Sequence, residues 1–345
     1  MHGDTQMVEI TKCTNRRFGV EIEFRSTAID SLAHALTAAG VETFVEHYNH
    51  TTRPHWKIVS DASCGYEIVS PILQGESGLY QLERVCEIMQ AENIQISRST
   101  GVHVHLEAAD LTRADVATIV KRYHENERTI DTWFPVSRRG TNNTYCRPVA
   151  RSINMTRLDQ GDAEGPARQA ALAQNIRFGK VNLQSLTAHG TIEFRQHAGS
   201  TDFAKIGNWV LFLMNFVEHS RKLKNSRLER VRGDRKRWYA EIRNEVERMG
   251  GTVKYHRGLK KWLLTGTTGS TALDNNGMAS IYNRYSINRD THKTTGRMVR
   301  FRPDQWKEVL DILFGEEEIT DNSLNAGIPE EVVDWFTLRA ADLAA

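Results

Sequence analysis

The sequence predicts an α+β fold in which strands and helices alternate through the front two thirds of the chain. Three observations carry the prediction. Short segments such as Phe18–Arg25, His55–Ser60, Tyr66–Pro71, Val102–Glu107 and Thr191–His197 alternate in polarity with the period of two that a half-buried strand requires. Between them, apolar residues recur at helical spacing: Leu79, Leu82, Cys86 and Met89, and later Phe203, Ile206, Val210, Leu213, Met214 and Val217. The charge then turns uneven. Residues 221–310 hold 22 Lys/Arg against 9 Asp/Glu, and residues 311–345 hold 1 against 9, although the whole chain is only +2. This divides the 345 residues into a domain over 1–222, a basic and mainly helical region over 223–310, and an acidic helical tail over 311–345.

Taken in order, Phe18–Arg25 is the first strand. Ser31–Ala39 is a helix closed by Gly40. His55–Ser60 and Tyr66–Pro71 form a hairpin around the Asp61-Ala62-Ser63-Cys64-Gly65 turn. Leu111–Arg128 is a helix that Asp110 or Thr112 caps. Pro135–Pro166 is a long polar loop, and such loops are more often functional than idle. Asp202–Leu223 is a long amphipathic helix. The basic region opens with a helix around Trp238, Ile242 and Met249, and then passes through a Gly/Thr/Asn-rich stretch.

No run of 18 apolar residues occurs, so no membrane span is expected. Met1–Glu9 lacks the apolar region of a signal peptide. The four cysteines, Cys13, Cys64, Cys86 and Cys146, are scattered without a CxxC pair, which argues against a zinc knuckle or disulfide framework and fits a reducing cytoplasm.

Four segments place ionisable groups on one strand face. In Gly19-Val20-Glu21-Ile22-Glu23-Phe24, Glu21 and Glu23 point the same way. Two adjacent carboxylates on a half-buried strand repel unless a cation neutralises them, and carboxylate oxygens suit Mg²⁺ or Mn²⁺. The same pattern also describes the solvated face of an amphipathic strand. Glu67 enters a strand amid Tyr66, Ile68 and Val69, where a rim carboxylate is the plain alternative. In Gly101-Val102-His103-Val104-His105-Leu106, two imidazoles share a face, as metal or phosphate ligands or as satisfied structural groups. In Gly190–His197, Glu193, Arg195 and His197 are expected on one face, either as a cation-and-phosphate site or as a cross-strand ladder.

These motifs, FGVEIEF at 18–24, SDASCGYEIVSP at 60–71, GVHVHL at 101–106 and GTIEFRQHAGS at 190–200, occur in an order that resembles the amidoligase family, relatives of glutamine synthetase and glutamate–cysteine ligase. The resemblance spans roughly residues 16–220, and VNLQSL at 181–186 belongs to it. It implies a curved, mostly antiparallel sheet with flanking helices over an ATP site holding two or more Mg²⁺ or Mn²⁺ ions. It also implies metal ligation by Glu21, Glu23, Glu67, His103 and Glu193, nucleotide contact by His105 and Arg195, and a looser nucleotide role for His197. The implied reaction joins a carboxylate to an amine through an acyl phosphate, with Arg195 offsetting phosphoryl charge. Asp61 is the candidate base for the incoming amine, and Arg138, Arg139 and Arg147 are candidate clamps for phosphate or substrate carboxylate. A neighbouring subunit completing the site would make the protein a homo-oligomer.

Basic residues interleaved with Trp238, Tyr239, Tyr255, Trp262, Tyr282 and Tyr285 also describe a nucleic-acid surface over 221–310. A nucleic-acid-binding or nucleic-acid-modifying protein is therefore the second reading, and a metal-dependent hydrolase using the same Glu/His set the third.

Overall fold

The computed structural model describes residues 8–26, 28–140, 143–160, 173–174, 176–223, 246–248, 250–257, 261–266, 270–274, 282–287, 294–301 and 321–344. Its contacts divide the chain into two units. One comprises Met1–Leu111, Ile119–Ser220 and Ser323–Ala345, and the other Thr112–Thr118 and Arg221–Asn322.

The first unit is built on a mixed, mostly antiparallel sheet. Its strands are β1 (Arg17–Phe24), β2 (Thr43–Val45), β3 (Trp56–Asp61), β4 (Gly65–Val69), β5 (Leu73–Gln74), β6 (Gly101–Glu107), β7 (Val181–Asn182) and β8 (Thr191–Ala198). They run in the order β2-β3-β4-β1-β6-β8-β7, with β5 also paired to β1. All pairings are antiparallel except β2 with β3. The α+β expectation holds for this unit, and each motif strand lies within a residue or two of its expected place.

Alternation decides which face of this sheet is apolar. Val20, Ile22, Phe24, Ile68, Val102, Val104, Ile192 and Phe194 are all buried. The helix Gly75–Ala91 buries Leu79, Leu82, Val85, Cys86 and Met89. It packs closely, since a Cβ on Gly78 would meet Leu73 at 2.9 Å and Phe18 at 3.1 Å. The helix Phe203–Lys222 buries Ile206, Trp209, Val210, Leu213 and Met214, as its spacing predicts. Asp202 caps it by accepting the backbone N–H of Ala204 at 2.9 Å. Thr112 caps the helix Arg113–Glu125 in a reciprocal box with Asp115, the expected alternative to Asp110. That helix stops at Glu125, and Glu127–Thr132 is a separate short helix, where one continuous helix is expected from the sequence.

The tail returns to the first unit as the helix Glu330–Ala344. Phe336 is buried and stacks on Trp133 with ring centroids 4.3 Å apart. Arg122 fixes the approach: it is 2% exposed and donates to the carbonyls of Ser323, Leu324 and Ala326.

The second unit corrects the expectation of a mainly helical basic region. Its described strands, β9 (Thr252–His256), β10 (Lys261–Thr265), β11 (Ser270–Asp274), β12 (Tyr282–Ile287) and β13 (Thr294–Phe301), form an antiparallel sheet in sequential order. Thr, Val, Tyr and Ile fill half or more of segments such as TVKYH and YNRYSI, and β-branched and aromatic side chains favour the pleated surface. The helix expected around Trp238, Ile242 and Met249 lies outside the described residues at those positions.

Candidate active site

Strand register gathers the motif residues. Glu23 lies directly opposite Glu67, Glu21 opposite His103, and His105 opposite Glu193. Cross-strand partners share a face, so four strands contribute acidic or imidazole groups to one patch. This face lacks the helix-packed apolar core. It forms the floor of a chamber of about 1180 Å³, lined also by Asp61, Arg138, Arg177, Phe178 and Arg195.

The two histidines take different places. His103 lies between the paired glutamates, with Nδ1 3.1 Å from Glu21 and Nε2 3.4 Å from Glu23. His105 has Nε2 3.5 Å from Glu21 and 4.0 Å from Glu193. Glu21, His105 and Glu193 offer ligand atoms that all lie within 4.8 Å of one another. The Nδ1 of His105 is 3.0 Å from Thr191 Oγ1, and Ser185 supports Thr191 at 2.6 Å. If Nδ1 donates to that hydroxyl, Nε2 presents its lone pair to the group. This Nε2 is buried and has no hydrogen-bond partner, a costly arrangement that a cation would relieve. Carboxylate oxygens with imidazole nitrogen suit Mg²⁺ or, with more tolerance for nitrogen, Mn²⁺.

The charges in the patch are strongly perturbed. Burial alone would push the Glu21 carboxyl up, yet His103 and His105 outweigh it and hold Glu21 well below the usual carboxylate range. Burial opposes ionisation of Glu193 too, but Arg195, His105 and His103 bring it down to about 2. Glu67 goes the other way: burial first, then the negative charge of Glu21, Asp61 and Glu23, raises it. The floor therefore carries more negative charge than its own cations balance comfortably.

Two groups orient Glu193. Arg195 Nη1 donates to its Oε1, and Asn182 Nδ2 donates to its Oε2 at 2.5 Å. The Gly101 backbone N–H donates to Glu23 Oε2 at 2.6 Å.

His197 is not part of the patch. A bulge between Val102 and Val104 of β6 sets Arg195 and Gln196 of β8 together against His103, which moves His197 into register with Val102 on the apolar face. There its ring lies 5.4 Å from Phe134 and 6.4 Å from Trp209. Strict alternation from Glu193 put it with the site; the extra residue overturns that placement.

Asp61 reaches the rim of the chamber but is bound into its own turn. Burial would raise its carboxyl, but hydrogen bonds from Ser63 and Cys64 hold it below its ordinary value, which makes it a weaker proton acceptor. Arg138 lines the chamber. Arg139 is not among the lining residues, and its Nε donates to the Phe134 carbonyl at 2.9 Å. Arg147 Nε likewise turns to the Thr144 carbonyl.

Several contributors escape sequence reading. Asn182 sits in a two-residue strand, too short to show a period, although VNLQSL marks its neighbourhood. Thr191 and Ser185 act through hydrogen bonds to His105 that no spacing rule announces. Lys57 is buried and spends its ammonium on Asn49 and the Thr51 carbonyl, pinning the 49–51 segment whose His50 and Thr51 line the chamber.

With the floor and its motif strands in place, the comparison with known families is decisive. A family model described as "Putative amidoligase enzyme" matches residues 14–217. The chain belongs to this amidoligase family. The matched stretch holds every strand of the acidic floor and ends within the helix Phe203–Lys222. No curated protein matches the chain. Among the described residues of this amidoligase, no helix is long and apolar enough to cross a membrane.

Proposed function

We propose that this amidoligase is an ATP-dependent carboxylate–amine ligase that works through an acyl phosphate. The observation that carries the reading is the composition of the chamber. Its floor of Glu21, Glu23, Glu67, Glu193, His103 and His105 suits divalent cations, and Arg138, Arg177 and Arg195 line the same space. Carboxylates beside unsatisfied imidazole and guanidinium groups fit a metal-bound polyphosphate better than a neutral ligand.

In this reading Glu21, His105 and Glu193 would hold one ion, and Glu23, Glu67 and His103 would hold a second. Bound cations would neutralise charge on the phosphates. The chain's own part is orientation. Asn182 and Arg195 fix Glu193, while the Thr191–Ser185 pair fixes the His105 ring.

A substrate carboxylate oxygen attacks the γ-phosphorus of ATP, the bond to the β-phosphate oxygen breaks, and ADP leaves. An amine nitrogen then attacks the acyl carbon, inorganic phosphate leaves, and the nitrogen loses a proton. Arg195, which lines the same chamber, would offset charge on the transferring phosphoryl group.

Hydroxylamine, a small amine that traps acyl phosphates, gives the test. Incubation with ATP, Mg²⁺ and a panel of carboxylic acids should yield a hydroxamate and equimolar ADP for at least one acid. Glu193→Gln should lower that rate by roughly 10²–10³. A hydroxamate yield unchanged in Glu193→Gln would sink the site assignment. Failure of a non-hydrolysable ATP analogue with Mg²⁺ to raise the melting temperature would favour the hydrolase reading instead.

A further inference from the structure

Phe178 stands on the chamber wall beside two arginines. Its half-buried ring lines the space together with Arg177 and Arg195. The guanidinium carbon of Arg177 lies 4.9 Å from the ring centroid and that of Arg195 lies 6.0 Å from it, while Tyr145 makes a T-shaped contact at 5.1 Å. Backbone hydrogen bonds tie the ring to the strand that carries Arg195. The Phe178 carbonyl accepts the Arg147 N–H at 3.0 Å, the Arg147 carbonyl accepts the Lys180 N–H at 2.9 Å, and the Lys180 carbonyl accepts the Arg195 N–H at 2.8 Å. Gly179 permits this path, because a Cβ there would collide with Ser152. The Arg195 side chain has few polar ties of its own. Its Nη1 donates to Glu193 Oε1, and its Nε is buried without a hydrogen-bond partner among the described residues. Oε1 is also the Glu193 oxygen that lies 4.0 Å from His105 Nε2, within the Glu21–His105–Glu193 group that could hold a cation. One oxygen cannot serve a cation and a guanidinium fully, because the two positive charges repel each other across it.

We propose that Phe178 is the positioning residue for Arg195, holding its guanidinium in the chamber by a cation–π contact when the Glu193 carboxylate is shared with an ion. The role of the ion and of the phosphoryl group rests on the ligase reading, but the hold of the ring on the guanidinium does not. The face of an aromatic ring carries negative potential and attracts a guanidinium, most strongly where water is excluded. It does so without consuming a hydrogen-bond donor. A carboxylate tether occupies the N–H groups that a phosphoryl oxygen would need, whereas a ring under the guanidinium plane leaves them available. Phe178 therefore keeps Arg195 in place through the step in which its N–H groups turn from Glu193 to the phosphoryl oxygens.

Hydroxamate formation by the full chain, with Mg²⁺, ATP and the most active acid of the panel, tests this. Phe178→Leu keeps the apolar bulk and removes the ring. It should lower kcat by roughly 3- to 30-fold, the span of a partly to fully desolvated cation–π contact, with KM for ATP within about twofold of wild type. Phe178→Tyr, which keeps the ring, should hold kcat within about twofold. In an Arg195→Met background, Phe178→Leu should cost nothing further, since the ring then has no guanidinium to position. A second readout needs no turnover. The Arg195 Nε–H, assigned by its loss in Arg195→Lys, should give a sharp NMR resonance in Mg²⁺ that broadens in Phe178→Leu and persists in Phe178→Tyr. The inference is overturned if Phe178→Leu and Phe178→Tyr lose rate alike, or if the Arg195 resonance stays sharp in Phe178→Leu. It is also overturned if Phe178→Leu costs as much in Arg195→Met as in wild type, which would tie the ring to Arg177 instead. Absence of hydroxamate from the wild type would refute the ligase reading alone, and the Arg195 resonance would then decide the role of the ring.

Discussion

His197 is held neutral by its surroundings on the apolar face of the sheet. Burial lowers its pKa to about 4; Arg138, Lys205 and Arg339 push the same way, against a hydrogen bond to the Ala198 carbonyl. An unfolded histidine titrates near ~6.5. Above that pH both states are neutral and the difference vanishes. Below it the unfolded chain takes up the proton first, so stability falls as pH drops from ~6.5 toward 4, by roughly 3 kcal/mol at most. His197→Gln should remove this component. Melting curves of the two proteins from pH 8 to pH 4 should then converge toward the acid end, and a constant offset would contradict the assignment. Glu46 gives the opposite sign of shift at the opposite pole. Its carboxylate bonds to His55, Asn49 and Arg53 and is brought down to about 2, mainly by His55. The stability it contributes is fully present above ~4.5 and is lost as pH falls toward 2. Glu46→Gln should flatten the wild-type loss in that window, as read from the denaturation midpoint at each pH.

At the scale of one element, β8 explains both what the sequence discloses and what it hides. Its alternation correctly gives Glu193 and Arg195 to the polar face, because two-residue periodicity holds up to the bulge. Beyond it the period is broken, and nothing in Arg195-Gln196-His197 announces the break. The cause lies in distant partners. Gln196 is fully buried, donates to Asp131 and accepts the Tyr123 hydroxyl, both at 2.5 Å. Asp131 in turn holds Lys180, whose ammonium also meets Glu127 at 2.6 Å, and the Lys180 carbonyl accepts the Arg195 backbone N–H at 2.8 Å. The polar network therefore grips both residues of the bulge, Arg195 through its backbone and Gln196 through its side chain. Lys180 is fully buried, so Lys180→Met would leave the buried Glu127 and the half-buried Asp131 without their shared cation. The expected cost is about 3–5 kcal/mol in urea denaturation. Asp131→Asn, which removes a charge but keeps the shape, should cost less. A Lys180→Met protein as stable as wild type would show that the network does not hold the strand.

The whole molecule shows a different limit of sequence reading. The faces of the front strands are legible because one side must bury Val, Ile and Phe, and the other is then left to Glu and His. The basic region has no such anchor: its short strands are interrupted by Gly, Thr and Asn, and charge distribution alone does not select sheet over helix. Its charge sets the tail apart as an acidic helical segment, yet the helix Glu330–Ala344 belongs to the first unit, after more than a hundred intervening residues. Its hold is specific. Phe336 lies against Trp133, with Trp209 and Phe212 also in ring contact, and Arg122 collects three carbonyls of the chain that leads to it. Trp209 in turn contacts Phe134, and the 3-10 turn two residues beyond Phe134, Val136–Arg138, carries Arg138. The tail thus supports the layer from which Arg138 enters the chamber. Phe336→Ala should cost about 3–5 kcal/mol of unfolding free energy through the cavity it leaves. A loss below about 1 kcal/mol would show that these ring contacts do not hold the tail to the first unit.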